Sequence, residues 1–298
     1  MEISINGKPA DITLETEKTV GDVLGGLEQW LTGTDIRLSG LSIDGLETNA
    51  AGIAQAMERG LEGIKTIDIR ISSWDELAME ALANLMDSCA EYGNASFDMR
   101  PLVSKRWEES AAAAFLSAEI PDLHEFSCRS FNGEGLSPED LALAAEERFR
   151  ELADPGHEIH NLEEKVSGIA ARMEEFPLDI QTGKDGRAAE TIQLFSRIGE
   201  KIFRLLQVLQ KQGFLMDLVR IEEQPINGFL NDFGTALGEL TAAYGSQDAV
   251  LAGDLAEYEL APRLLKLYSA LRDFCQNNIA QNNLSPGDKV LDEARTGS

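Results

Sequence analysis

Near the start of the chain apolar residues recur at every second position, and from residue 73 onward they recur at every third or fourth. The first period predicts strands and the second predicts helices. Ile3 and Ile5 alternate with Glu2 and Ser4, and Asn6-Gly7 supplies the positive-φ pair of a tight hairpin turn. Ile12 and Leu14 then alternate with Asp11, Thr13 and Glu15, which predicts an antiparallel partner strand. Thr19 stands three residues before Asp22 in a capping arrangement, followed by Val20, Val23, Leu24, Leu27 and Leu31 at helical spacing, with Gly33 to close the helix. Ile36, Leu38 and Ile43 before Asp44-Gly45 predict a third strand, the stretch from Ala51 to Met57 a short helix, and Ile67, Ile69 and Ile71 a last strand.

The helical remainder begins at Ser73, a cap with Glu76 at its third position, and carries Ala78, Leu82, Leu85, Cys89 and Tyr92 on one stripe. Ser104 is read as the cap of a helix carrying Trp107, Ala111, Ala114, Phe115 and Ala118, and the run from Pro121 to Gly135 as irregular. Ser137-Pro138-Glu139-Asp140 starts the next helix, which Asp154-Pro155-Gly156 ends. Ile159, Leu162, Val166, Ile169 and Met173 define another, expected to stop at Phe176-Pro177. A wide apolar face runs from Phe195 to Leu209 and closes at Gly213. Pro225 opens a helix ending at Gly245, in which Gly234 and Gly238 would admit a second backbone at close range. Ser246 with Asp248 starts the last segment, which Pro262 must break or kink because its ring removes a donor and collides with the preceding turn.

The order of the first 73 residues resembles the ubiquitin-like β-grasp fold. Met1-Glu2-Ile3-Ser4-Ile5-Asn6-Gly7-Lys8 followed by Thr19-Val20-Gly21-Asp22-Val23-Leu24 is similar to the small sulfur-carrier branch of that fold. Those carriers act through a free C-terminal Gly-Gly whose carboxylate is activated. Here Ile71 continues into Ser72, Ser73 and Trp74, and the sequence ends Arg295-Thr296-Gly297-Ser298. The resemblance therefore implies a recognition surface and not carrier chemistry. The expected fold class is α+β: a β-grasp domain over 1–73, a predominantly helical bundle over 74–285, and a disordered polar tail over 286–298.

Composition adds one strong term. The 298 residues hold 52 Asp and Glu against 26 Lys and Arg, a formal net charge of −26. Residues 1–73 contain 12 acids and 6 bases and the rest 40 and 20, so the two-to-one ratio holds in both parts. An even coat reads as solvation or salt adaptation before it reads as a docking patch for a basic partner, and its field repels phosphate backbones. Nucleic acid is accordingly not an expected partner. No apolar run approaches the ~18 residues of a membrane span, so a membrane is not expected either. Three widely spaced cysteines, Cys89, Cys128 and Cys275, and a start without an export signal lead to an expected cytoplasmic location.

Candidate chemistry is sparse. His157, His160 and Glu164 fall on the face opposite the apolar stripe of their segment, and His124 with Cys128 is half a zinc site, so neither metal nor cofactor is expected. Lys184 and Arg187, in the turn Gly183-Lys184-Asp185-Gly186-Arg187, could cradle an anion, although the nucleotide-loop string is absent and a connecting turn explains them as well. Asp254 and Glu257 flank Tyr258 just before Pro262, where a buried carboxylate could serve as acid or base; Glu259 is four residues from Arg263 and suited to pair with it. The leading expectation is a non-enzymatic interaction or adaptor protein that uses the sheet edge or the groove between sheet and bundle. The alternative is an enzyme or small-molecule binder with its site near Asp254, Glu257 and Tyr258, and a third reading is a homo-oligomer formed through the heptad-like helices.

Overall fold

A computed structural model describes residues 1–278 apart from positions 11, 13, 15, 33, 35, 49–54, 217 and 218. The expected tail over 286–298 lies outside the described residues, as do the proposed strand positions Asp11, Thr13 and Glu15, the helix stop at Gly33 and the start of the short helix at Ala51. The class is α+β, a mixed five-stranded sheet followed by helices. The chain forms two compact units, Met1–Phe149 and Arg150–Ser298. No helix among the described residues is long and apolar enough to cross a membrane.

In the first unit the sheet comprises β1 (Glu2–Ile5), β2 (Lys8–Pro9), β3 (Ile36–Ile43), β4 (Leu46–Thr48) and β5 (Thr66–Ser73), in the order β2-β1-β5-β3-β4. β1 and β5 are parallel and the other pairs antiparallel. Asn6 and Gly7 have φ of 50° and 72°, and Asp44 and Gly45 have 52° and 80°, so both hairpins turn through the left-handed pairs that match strand twist. The second hairpin adds β4, which the alternation of apolar residues did not announce because only three residues pair. The first hairpin is shorter than the pattern predicts: the paired strand ends at Pro9, with one further hydrogen bond from the Ala10 N–H to the Ile3 carbonyl at 2.9 Å. Ile3, Leu41, Ile43, Ile67 and Ile69 face Val20, Val23, Leu24, Leu27 and Leu31 of α1 (Val20–Leu31), closing a core within residues 1–73. The Thr19 hydroxyl and the Asp22 carboxylate cap each other's backbone N–H groups, as the sequence predicts.

β5 runs without a loop into α2 (Trp74–Asn94), whose N-cap is Ser73 in a capping box with Glu76. α3 (Arg100–Glu108), α4 (Ala111–Glu119), α5 (Pro121–Phe131) and the first part of α6 (Pro138–Ala153) follow. Two expectations are corrected here. Ser104 is buried inside α3, and the cap is Ser110, whose hydroxyl accepts from the Ala113 N–H of α4. The stretch after Pro121 is a helix, since proline at the first helical position sacrifices a donor that has no partner anyway. Two aromatic side chains of this apolar core have their polar tips satisfied: Trp107 Nε1 donates to Ser127 Oγ at 3.0 Å, and the Tyr92 hydroxyl donates to the Phe131 carbonyl at 2.9 Å.

The second unit contains α7 (Pro155–His160), α8 (Glu163–Gln181), α9 (Asp185–Lys211), a small hairpin of β6 (Arg220–Ile221) and β7 (Gln224–Pro225), and α10 (Ile226–Gly245). These are followed by α11 (Ala249–Asp254), a π-helical turn (Leu255–Leu260) and α12 (Ala261–Asn278). One continuous apolar cluster, including Met173, Phe176, Phe195, Leu205, Phe233 and Leu264, joins them. α8 does not stop at Pro177 but passes through it to Gln181. The ring packs on Gly253 of α11, where an added Cβ would lie 3.1 Å from Pro177 Cβ, so tertiary packing offsets the lost hydrogen bond. Pro262 likewise does not break its segment: the π-helical turn widens the backbone just before it, with the Ala261 N–H bonded to the Ala256 carbonyl five residues back. The room that Gly234 and Gly238 leave is not taken by another backbone, since nothing among the described residues lies within 4 Å of a Cβ at either.

Candidate functional site

Asp254, Glu257 and Tyr258 come together on one outward face. Along α11 and the π-helical turn the buried positions are Ala252, Gly253, Leu255, Ala256 and Leu260, whereas Val250, Leu251, Asp254 and Tyr258 are exposed and Glu257 is half-buried. That pattern is the amphipathic division of a surface helix, with its inner side on the core of the unit. Tyr258 is 65% exposed. The Glu257 carboxylate accepts from the Tyr258 hydroxyl and, with Asp254 nearby, pushes the phenol above its ordinary value. Glu259 turns away from this face and pairs with Arg263 at 2.7 Å, the four-residue pairing expected from the sequence. Glu259 and Arg263 border a shallow depression of about 290 Å³ with Asp232, Thr235, Ala236, Glu239 and Leu255. Asp254, Glu257 and Tyr258 are not on its walls.

Lys184, the N-cap of α9, and Arg187 in the first turn of that helix form a separate group. Both cations point at Asp179, which is only 2% exposed: Lys184 Nζ lies 3.6 Å and Arg187 Nε 3.0 Å from its carboxylate. Arg187 also pairs with Glu175. The turn between α8 and α9 is closed by Gly183 at φ 69°, with the Gly183 N–H bonded to Ile180 O and the Lys184 N–H to Asp179 O, the double closure of a Schellman motif. The protein's own carboxylates therefore occupy the positive end that could have cradled a free anion.

A third group was missed by the sequence reading. Glu151 of α6 is 1% exposed and receives Arg204 of α9 in a two-pronged pair, Nε at 3.0 Å and Nη2 at 2.8 Å. Lys201, one turn before Arg204, donates to Glu158 of α7 at 2.7 Å and lies 3.7 Å from Glu151, while Arg150 Nε is 3.7 Å from Glu158. The partners lie 43 and 53 residues apart, so no local spacing announces them. The only trace in the sequence is that Lys201 and Arg204 flank Ile202 and Leu205 at the border of a wide apolar face.

The remaining candidates are quiet. His157 and His160 are exposed, as their angular position predicts, and they border a hollow of about 310 Å³ with Asp154, Arg272 and Cys275. Among the described residues no three His, Cys, Asp or Glu side chains are grouped so as to hold a metal. Burial pushes the Cys89 thiol up to about 12 and the Cys275 thiol to about 11, with Glu139 and Asp154 adding to the respective shifts, so neither is poised as a nucleophile. His124 Nε2 lies 3.7 Å from Cys128 Sγ within α5, a local packing pair.

Comparison with known proteins yields two partial matches. Residues 1–73 match the family model described as the TP0873 N-terminal domain, and residues 157–270 match a domain of unknown function, DUF8042. No curated protein and no solved structure matches the chain. With the five-stranded mixed sheet and α1, the first match marks residues 1–73 as a small α/β domain similar to that one, and the second match falls inside the second compact unit.

Proposed function

We propose that this chain is a non-enzymatic interaction or adaptor protein whose N-terminal domain is a β-grasp module used as a recognition surface. The β-grasp reading draws on the strand order β2-β1-β5-β3-β4 with β1 and β5 parallel at the centre and α1 packed across one face. Sulfur-carrier chemistry is set aside because Ser73, the last residue of β5, is the N-cap of α2, so no reactive chain end follows that strand. The observation that carries the interaction reading is the edge strand β4. It pairs with β3 alone among the described residues and presents Leu46 at 76% exposure. An open edge with an apolar side chain is a route by which sheets take up an extended partner segment.

An enzyme with acid–base carboxylates at Asp254 and Glu257 would need one of them held out of water, and their place on an outward helical face gives that reading no support. Affinity capture with the tagged full chain tests the proposal, run beside a Leu46→Lys variant and an unrelated protein of equal acidity. A protein retained by the wild type and lost with Leu46→Lys is the expected result. Retention of nothing beyond what the acidic control retains overturns it.

A further inference from the structure

We propose that the outward face of α11 and the π-helical turn, made by Val250, Leu251, Asp254, Glu257 and Tyr258, docks a basic amphipathic helical segment of another protein. This inference rests on the interaction reading but on a surface other than the sheet edge, and it names the chemistry of the partner. Val250 is 73% exposed, Leu251 46% and Tyr258 65%, and they stand at the two ends of a face about 12 Å long, the rise of nine helical residues. Between them lie Asp254 and Glu257. Some surface acids have a basic neighbour, as Glu175 has Arg187, Glu190 has Arg172, Asp122 has Arg148 and Glu222 has Lys266. Among the described residues no Lys or Arg pairs with Asp254 or Glu257, and the cation nearest in sequence, Arg263, is taken by Glu259. An apolar strip with two uncompensated carboxylates at its middle is complementary to a strip of apolar residues flanked by Lys or Arg. The Tyr258 ring face can also receive a cation. A second copy of this chain fits poorly, since it would bring carboxylates against carboxylates in molecules of net charge −26.

The probe is a labelled three-turn helical peptide of Leu and Lys with one apolar face, titrated with the full-length protein by fluorescence anisotropy at physiological ionic strength. A Lys and Ser peptide of equal charge is run in parallel. The variant Asp254→Asn/Glu257→Gln/Tyr258→Ser is expected to bind the Leu and Lys peptide at least about tenfold more weakly. Glu125→Gln/Glu134→Gln, which removes the same charge from exposed sites on the other unit, is expected to change binding by less than about twofold. Equal weakening by both variants, or equal binding of the two peptides, would reduce the effect to diffuse charge and overturn the proposal. Tyr258→Ser alone, at an exposed position, gives the same readout if the triple variant melts early. A cellular protein captured equally well by wild type and triple variant would leave the interaction reading standing and remove this face from it.

Discussion

Gln247 occupies a left-handed conformation, φ 60°, that most helix ends give to glycine. It follows α10 and closes it with the Gln247 N–H on Tyr244 O and the Asp248 N–H on Ala243 O. The same double closure ends α9, where Gly213 at φ 81° fills the position. The sequence predicts a stop at Gly245, a residue that remains helical, because a glycine is visible in the sequence and a left-handed glutamine is not. Gln247→Gly should remove side-chain strain and stabilise the protein by about 0.5–1 kcal/mol, read as a higher denaturant midpoint at unchanged slope. Asp44 offers a pH test. The backbone N–H groups of Lys65 and Thr66 donate to its carboxylate at 2.8 and 3.1 Å and, with Arg59 nearby, hold its pKa below the ordinary 3.8. A depressed folded value contributes stability above pH 3.8 that is lost as pH falls through the folded value. The stability advantage of wild type over Asp44→Asn should therefore be largest near neutrality and shrink below pH 3.8. At the cysteines, alkylation of the native protein near neutral pH should reach Cys128, the partly exposed thiol, well before buried Cys89 and Cys275; equal rates would contradict the burial described above.

At the scale of elements, the charged lattice joining α6, α7 and α9 makes a sharp prediction. Replacing Lys201 by Met leaves Glu158 buried without its closest cation and should cost about 3–5 kcal/mol, whereas Lys201→Met/Glu158→Leu should recover most of that loss. A chemical-denaturation double-mutant cycle measures the coupling directly. If the single variant is as stable as wild type, the lattice is not a structural constraint. Two prolines show how far local rules reach. Pro177 and Pro262 each lack the donor of a normal helical hydrogen bond, and from that the sequence predicts a stop at the first and a break or kink at the second, neither of which occurs. Whether a helix stops, bends or adapts depends on what packs there: Gly253 accommodates Pro177, and the π-helical turn accommodates Pro262. The same limit explains Ser104 and Ser110. Both are competent caps one turn or so from an apolar run, and burial of Ser104 in α3 leaves Ser110 to cap α4.

For the whole molecule, a net charge of −26 sets the response to salt. Screening should reduce self-repulsion, so the denaturation midpoint should rise from low to moderate ionic strength; a fall would mean that favourable ion pairs outweigh repulsion in the stability of the fold. The sequence by itself determined what depends on neighbours a few residues away. The change of period at Ser73, the caps at Thr19 and Ser73, the hairpin turn at Asn6-Gly7, and the outward placement of His157 and His160 all follow from local sterics and amphipathic spacing. The grouping of Asp254, Glu257 and Tyr258 was legible for the same reason, since one helical segment carries all three. Only the tertiary structure decided which charges are compensated. Lys184 and Arg187 meet the buried Asp179, Lys201 and Arg204 find glutamates 43 and 53 residues away, and among the described residues Asp254 and Glu257 are left without a cation. Charge compensation acts through space across distances of a few ångströms, and the sequence does not reveal which distant segments will come that close.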